Sequence, residues 1–429
     1  MRRSGRFQKS LLDNGMTLLT ESVTQFQSLS IGVWVTAGTR HEKPGEEGLS
    51  HFLEHMMFKG TERRSALDIA LAVDRVGGEF NAFTAREYTC FHLLLLSRDL
   101  NLAVDIMSDV LLSSKLAQEE IERERKVILQ EISMVEDNPE ELVHDLFFEQ
   151  AFGGHPLGKP ILGSPQTVSS FDRPTVYSYY RRHYSPSQML ISVVGDVDHQ
   201  RVKKLLNKHL TLKSKEAPRQ QHKRANLHRP SIKGSSKTYA RDLEQTHVVI
   251  GFPGVAYNHA DRFSAYLLNV YLGGGMSSSL FQEIREKRGL AYTVYSSLAP
   301  FSDTGLFSIY VGTSPKEVGT CMDVIGKELR KLRDATLDKD AVDVLKQNLK
   351  STILLNADSV ESRMSAIARN EMFFGRYYSM QDVVRKIDKV TPQSMRAIAK
   401  QTFKPGKLVV ALMGPKNLKS LPRKLAQHL

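Results

Sequence analysis

Two histidines and a glutamate near the N-terminus have the residue types and the spacing of a metal site. His51, Glu54 and His55 lie in the segment SHFLEHMMFKG, which begins at Ser50. If this segment is a helix, residues four apart project from one face, so His51 and His55 can bind one ion. Zinc accepts imidazole nitrogen in this way. Glu54 lies on the adjoining flank, where it can take a proton from water without binding the metal.

A third protein ligand is needed, because a catalytic zinc keeps one position for water. The segment LAQEEIERERKVILQEISMVEDNPEE contains Glu124 and Glu131, which are seven residues apart and share one face of a helix. Pro139 predicts the end of that helix. From the residues alone either glutamate is a candidate, and both are also typical of a solvated charged face. The histidine pair, in the reverse order of HExxH, is what favours a metal site.

The surrounding segments predict the elements that position these residues. Apolar residues recur at helical spacing in Glu47–Phe58, Leu67–Val76, Leu100–Leu112 and Gln118–Met134. The segments MTLLTE, LSIGVWVTAG, EFNAFTA and YTCFHLLLLS alternate or run apolar as strands do. Helices and strands are interspersed without a strict βαβ rhythm, which predicts an α+β fold with mainly antiparallel sheets covered by helices.

The chain shows signs of an internal duplication. YSPSQMLISVVG, Tyr184–Gly195, matches FKPGKLVVALMG, Phe403–Gly414, and SHFLEHMMFKG matches SAYLLNVYLGG. The second match sets His51, Glu54 and His55 opposite Ala265, Leu268 and Asn269. A scaffold that packs without these polar residues in one half has no structural need for them in the other. We therefore predict two homologous domains, 1–212 and 238–429, joined by a basic, proline-containing linker at 213–237.

Composition limits the class of protein. Hydrophobic residues make up 41% of the chain, charged residues 25%, and no apolar run approaches the roughly 20 residues of a membrane span. The basic N-terminus runs into a polar turn instead of a secretory signal, which predicts a cytoplasmic protein. The only cysteines, Cys90 and Cys321, form no CxxC pair, as expected in a reducing compartment.

The excess of 59 basic over 47 acidic residues gives a formal charge of +12. Such a charge is compatible with a basic nucleic-acid-binding protein, so this function remains an alternative. The charges are dispersed through predicted helices and are not interleaved with stacking aromatic residues, which favours a role in solubility. We therefore do not expect nucleic acid or a membrane as a partner.

The chain resembles the pitrilysin (insulinase) family of inverted-zincin metallopeptidases over nearly its whole length. The half-length bacterial members and the beta subunit of the mitochondrial processing peptidase are the most similar in plan. The spacing from His55 to Glu131 matches that of the family's glutamate ligand. The resemblance thus implies one zinc ion per chain, bound by His51, His55 and Glu131, with Glu54 as general base. It places Glu124 behind the ligands, as a support of the site.

Further segments carry the resemblance. GGEFNAFTA, from Gly77, is similar to the edge strand that pairs with an extended substrate, so the resemblance implies substrate binding by the backbone of Asn81, Ala82, Phe83 and Thr84. GGHPLGKPILG, from Gly153, also matches. IREKRGLAY places the family's arginine and tyrosine on Arg285 and Tyr292, as stabilisers of the oxyanion. Without the resemblance, Arg285 is a surface charge and Tyr292 a residue of strand packing.

The resemblance also implies an assembly. In the family a clamshell chamber contains four related domains, and this chain provides two, which predicts a homodimer or a heterodimer with a related subunit. The expected function is a zinc-dependent endopeptidase acting on peptides or unfolded segments. The alternative within the same fold is a noncatalytic partner subunit, against which the intact metal set argues.

Overall fold

The computed structural model describes residues 5–211 and 229–416, so most of the predicted linker 213–237 lies outside the described residues. The chain divides into two compact units. The first comprises the described parts of 1–133, 160–227 and 354–380, and the second those of 134–159, 228–353 and 381–429. Each unit contains one β-sheet covered by helices, which confirms the predicted α+β class.

The first unit is built on a six-stranded sheet in the order β1-β2-β6-β3-β5-β4. Its strands are β1 (Arg6–Leu11), β2 (Thr17–Ser22), β3 (Ser28–Val35), β4 (Glu79–Thr84), β5 (Thr89–Leu96) and β6 (Met189–Gly195). Only the β2–β6 pair is parallel. Because β4 ends the order, one of its edges pairs with no other strand of the described sheet.

The second unit repeats this arrangement with one strand fewer, in the order β7-β11-β8-β10-β9. Its strands are β7 (Ser235–Ala240), β8 (Thr246–Pro253), β9 (Ala291–Pro300), β10 (Gly305–Thr313) and β11 (Val409–Gly414). Here too a single pair, β7–β11, is parallel. The segments that matched in the sequence form β6 and β11, which occupy the same place in the two sheets and so support the duplication.

Fourteen α-helices lie in the described parts of the chain. Those of the first half are α1 (Leu49–Met57), α2 (Ala66–Asp74), α3 (Leu100–Ser113), α4 (Gln118–Asp137), α5 (Pro139–Phe152), α6 (Pro165–Ser170), α7 (Arg173–His183) and α8 (His199–His209). Those of the second half are α9 (Arg262–Gly273), α10 (Val318–Asp334), α11 (Lys339–Asn356), α12 (Val360–Phe374), α13 (Met380–Asp388) and α14 (Pro392–Thr402).

Local sequence explains where several of these helices begin and end. Ser65 and Asp68 form a capping box at the start of α2. Asn138 caps α5, whose first residue is Pro139, a favoured position for proline because the missing N–H has no partner there anyway. The same proline stops α4, as the sequence predicted.

Each sheet has an apolar face that is covered by a helix from the other half of the chain. α12 packs on the first sheet against Trp34 and Leu190, and α5 packs on the second sheet against Val249 and Ala411. Each compact unit therefore contains one helix from the other half of the chain, and we call α5 and α12 the exchanged helices. The division into homologous domains 1–212 and 238–429 stays a prediction about ancestry. It places α5 in the first domain and α12 in the second, although each helix packs on the sheet of the other half.

A glycine in the middle of each sheet makes room for the exchanged helix. A Cβ atom on Gly32 in β3 would lie 2.4 Å from Met364 Sδ of α12. One on Gly251 in β8 would lie 2.2 Å from Phe147 Cζ of α5. Both distances are far below a van der Waals contact, so any larger residue at these positions would displace the side chain of the packed helix. Among the described helices, none combines the length and the apolarity that a bilayer crossing requires.

Candidate metal centre and active site

The helix α1, which carries the histidines, is held at its first turn by a buried carboxylate. Gly48 has φ 99° and reverses the chain just before the helix. Glu42 lies on the preceding loop and is 7% exposed. Its Oε2 accepts a hydrogen bond from Gly48 N at 3.0 Å, and its Oε1 accepts one from Ser50 N at 2.8 Å. These amides have no partner within the helix, so Glu42 fixes the start of α1.

Replacing Glu42 with alanine should lower the free energy of unfolding by about 2 kcal/mol, because two amides at the helix start lose their acceptor. Glu42→Gln keeps one acceptor oxygen and should cost less. Chemical denaturation of the three proteins provides the comparison. Equal stability of all three proteins would show that the hydrogen bonds to α1 contribute nothing.

The same carboxyl gives wild type a specific dependence on pH. Burial raises the pKa of Glu42 from 4.5 to about 7, against the opposing effect of the hydrogen bonds from Ser50 and Gly48. A raised pKa adds stability at low pH, and that stability is lost as pH rises through the folded-state value. Wild type should therefore lose stability relative to Glu42→Gln between about pH 5 and about pH 8. A stability difference that does not change with pH would contradict this.

Two imidazoles of α1 and one carboxylate of α4 converge on a common point. Glu131 Oε2 lies 3.9 Å from His51 Nε2 and 3.7 Å from His55 Nε2. The two imidazole centroids are 4.6 Å apart. Among the described residues this is the one group of three or more His, Cys, Asp or Glu side chains arranged to bind a metal ion.

These three side chains fit a zinc ion. Bonds of about 2.0–2.2 Å to one ion separate its ligand atoms by roughly 3–4 Å, which is the spacing seen here. The 3.7–3.9 Å separations are too long for hydrogen bonds. Glu131 Oε2 is buried and accepts no hydrogen bond from any described residue. A buried oxygen in this state is explained by a cation between it and the imidazoles.

Glu124, the other candidate, lies behind the site. Its carboxylate is 4% exposed and faces the far nitrogen of His55, with 3.0 Å between Glu124 Oε2 and His55 Nδ1. Lys59 Nζ contacts the second oxygen at 2.8 Å. Burial raises the pKa of Glu124, but the hydrogen bonds from His55 and Lys59 outweigh this and lower it overall. An ionised Glu124 therefore holds the His55 ring with Nε2 towards Glu131.

The two histidines differ in their electrostatic surroundings. Burial, with a smaller contribution from the nearby His55, lowers the pKa of His51 to about 3, so this ring is neutral at physiological pH, as a metal ligand must be. Burial also acts to lower the pKa of His55, but Glu124, Glu131 and Glu54 surround it and raise it overall.

Glu54 lies on the same helix and directs its carboxylate to the strand β4. Thr84 Oγ1 donates a hydrogen bond to Glu54 Oε2. Burial raises the pKa of Glu54, and the hydrogen bond from Thr84 opposes this. A carboxylate that is largely buried, with a raised pKa, is suited to exchange protons near neutral pH.

The remaining residues of β4 divide between the two faces of the sheet. Ala82 packs with the core beneath α1, whereas Phe83 contacts Trp34 on the opposite face, with ring centroids 5.8 Å apart. Asn81 is exposed and its Oδ1 accepts a hydrogen bond from Ala82 N at 2.8 Å. Since β4 is an edge strand, its outer N–H and C=O groups are available for another strand.

Arg285 and Tyr292 belong to the second unit, where they lie together. The Arg285 guanidinium lies 4.6 Å from the Tyr292 ring centroid and 4.8 Å from that of Phe281. Arg285 is part of a short π-helix, Phe281–Glu286, a geometry that occurs often at functional sites. Tyr292 is 77% exposed, so the interpretation of this residue as strand packing is wrong. The two rings hold the guanidinium in one orientation.

Three features of the site were not predicted from the sequence. They are the contact of Lys59 with Glu124, the anchoring of α1 by Glu42, and the hydroxyl of Thr84 on Glu54. Lys59 follows His55 by four residues, so helical spacing was a signal that could have found it. The contact of Thr84 with Glu54 joins segments that only the tertiary fold brings together, and the contact of Glu42 with α1 depends on the conformation of the loop between them.

Comparisons with known proteins agree with this architecture. A family profile described as "Insulinase (Peptidase family M16)" matches residues 17–165, and one described as "Peptidase M16 inactive domain" matches residues 170–349. The first profile covers the histidine pair and the two candidate glutamates of α4, Glu124 and Glu131. The second covers much of the half that lacks them, as the duplication predicts.

Individual relatives match over almost the whole chain. Proteins named "Uncharacterized zinc protease" from Streptomyces coelicolor and Mycobacterium leprae are each 38% identical to it. The matches cover 93% and 99% of this chain, and 88% and 95% of the relatives. The crystal structure of a protease from Helicobacter pylori has the same fold, with a TM-score of 0.87 at 22% identity over 96% of this chain and 100% of that one.

The fold, the position of the metal-binding group and these matches confirm the resemblance seen in the sequence, including the expected class of enzyme. The chain belongs to the insulinase family of peptidases, M16, and is a homologue of bacterial zinc proteases.

Proposed function

We propose that this protein is a zinc-dependent endopeptidase that hydrolyses peptides or unfolded segments. The observation that carries the proposal is the convergence of His51 Nε2, His55 Nε2 and Glu131 Oε2 next to the carboxylate of Glu54. In this proposal the first three residues hold one zinc ion per chain. Glu54 is the general base, and Glu124 orients His55.

A zinc ion held by His51, His55 and Glu131 would supply a water molecule of lowered pKa and polarise the carbonyl of the scissile bond. Glu54 takes the proton of the attacking water and then delivers it to the nitrogen of the leaving amine. Two features support this role: the hydrogen bond from Thr84 fixes one carboxylate oxygen of Glu54, and burial raises the pKa of the group, which favours uptake of a proton.

Substrate is held, in this proposal, by strand addition to β4 through the backbone of Asn81, Ala82, Phe83 and Thr84. The free edge of β4 supports this, and main-chain hydrogen bonds select for extended chain more than for particular side chains. A folded protein does not present such a segment, so peptides and unfolded segments are the expected substrates. Both cysteines are free and buried, which suits the reducing cytoplasm as the place of action.

Metal analysis combined with cleavage of quenched peptides tests the function. The purified protein should contain about one zinc ion per chain, lose cleavage on treatment with a chelator and regain it when zinc returns. Calcium or magnesium should not restore cleavage, because the site offers two imidazoles and a single carboxylate. A protein that binds zinc and cleaves nothing in a broad peptide library would instead be a noncatalytic partner subunit.

We further propose that Arg285 and Tyr292 stabilise the oxyanion in the zinc site of a partner chain within a homodimer. The family resemblance suggests a chamber built from two such chains. The exposure of Tyr292 and its contact with Arg285 support the proposal, since a guanidinium held against an exposed ring is prepared for a ligand outside its own unit.

Mixing two inactive variants tests this arrangement. Arg285→Ala and Glu54→Gln each damage a different part of the site, so a mixed dimer contains one complete site. Random assortment makes half of the dimers mixed, which predicts recovery of about a quarter of wild-type activity. Mixing Glu54→Gln with a variant that carries both changes is the matched control and should recover nothing. Absence of recovery in the first mixture, despite proven subunit exchange, counts against completion in trans.

A further inference from the structure

We infer that Thr84 is a positioning residue whose hydroxyl fixes the Glu54 carboxylate and couples it to the strand β4. The inference rests on the proposed function, in which Glu54 is the base and β4 binds substrate. It assigns to the Thr84 side chain a task separate from the substrate contacts proposed for the backbone of the same residue.

The hydrogen bond from Thr84 is the main restraint on the Glu54 carboxylate. An ionised carboxylate only accepts hydrogen bonds, so Thr84 Oγ1 is the donor and Glu54 Oε2 the acceptor. Within the described residues, no other group donates a hydrogen bond to Glu54. The bond occupies Oε2 and leaves Oε1 for the water that Glu54 deprotonates.

The position of the hydroxyl is itself fixed by the end of the β4–β5 hairpin. Thr84 pairs with Thr89 across the two strands, and Thr89 Oγ1 donates to Ala37 O at 3.1 Å. The turn closes behind this pair, with Ala85 N donating to Tyr88 O at 2.8 Å. Because threonine is branched at Cβ, its side chain has few rotamers on such a backbone. The hydroxyl is thus a rigid reference point for the more flexible glutamate.

This arrangement couples the two parts of the active site. One edge of β4 pairs with β5, and the other is the edge proposed for substrate. A peptide that adds to the free edge orders the strand that carries the Thr84 hydroxyl. Binding of the peptide therefore also orients the Glu54 carboxylate for proton transfer, because both steps depend on β4.

Thr84→Val tests the inference because valine keeps the shape of threonine and removes the donor. We expect kcat to fall by about 10- to 100-fold, as for a misplaced reacting group, with KM, zinc content and melting temperature close to wild type. Thr84→Ser restores the donor and should recover most of kcat. Thr20→Val is the matched control. Thr20 is another strand threonine, whose Oγ1 lies 2.8 Å from His199 Nδ1, and its replacement should leave kcat unchanged.

A double variant separates positioning from other roles. In a Glu54→Gln background, Thr84→Val should neither reduce the residual cleavage further nor weaken binding of an uncleaved peptide. The inference is overturned if Thr84→Val keeps full kcat, if Thr84→Ser is as slow as Thr84→Val, or if Thr84→Val loses zinc or melts well below wild type. Failure of the proposed function looks different, because Glu54→Gln itself would then cleave at the wild-type rate.

Discussion

Glu54→Gln should cleave peptides at least about 100-fold more slowly than wild type, since general acid–base catalysis contributes roughly 10²- to 10⁴-fold. Glutamine has the same shape but cannot take up the proton of the attacking water. Its amide oxygen can still accept the hydrogen bond of Thr84, so the helix and its neighbours stay in place. The variant should therefore retain its zinc. Metal analysis and kcat on a quenched peptide measure the two quantities on the same sample.

The matched control is Glu122→Gln, an identical change at an exposed glutamate of α4. It should leave both zinc content and kcat at wild-type values. A Glu54→Gln protein that cleaves as fast as this control would remove Glu54 from the mechanism, whatever the metal content. A variant that loses zinc would instead make Glu54 a structural part of the metal site.

Replacing Glu131 should have an effect of similar size by a different route. Glu131→Ala removes the carboxylate oxygen that faces both imidazoles, and cleavage should disappear together with the zinc. Glu124→Gln keeps all three ligand atoms but weakens the orientation of His55, which should lower zinc affinity by about 10- to 100-fold. The loss of affinity in Glu131→Ala should exceed that.

Competition with a chelator of known affinity ranks the zinc affinities of the two variants. Glu119→Ala is the control for removal of a glutamate from this helix, because Glu119 is exposed in the first turn of α4. Retention of zinc by Glu131→Ala, with loss in Glu124→Gln, would exchange the roles of the two glutamates. Such a result would also contradict the geometry, because Glu124 faces His55 Nδ1 and not Nε2.

The elements that bear the site were predictable because their signals are local. Helical spacing predicted α1 and α4, and the alternation in EFNAFTA predicted β4, each within a few residues of the structure. The pairing of His51 with His55 also follows from spacing alone. The choice between Glu124 and Glu131 does not, since both lie on one face of α4, and in the sequence only the family resemblance distinguished them.

The features that could not be predicted depend on loop conformation or on contacts between separate elements. Glu42 reaches α1 from a loop, and Thr84 reaches Glu54 from a different strand. Their residue types are compatible with any surface position, so no periodicity marks them. The exchange of α5 and α12 is invisible for the same reason. Each has the apolar residues of a packed helix, but nothing in that pattern identifies the sheet that it covers.

The exchanged helices bear on how the duplicated halves have been retained. A first half made alone would lack α12 and leave the apolar face around Trp34 and Leu190 open to solvent, and a second half without α5 would expose Val249 and Ala411. Such surfaces promote aggregation. Covering both sheets therefore requires both halves, and no single cut in the gene would yield two fragments that each contain a complete unit.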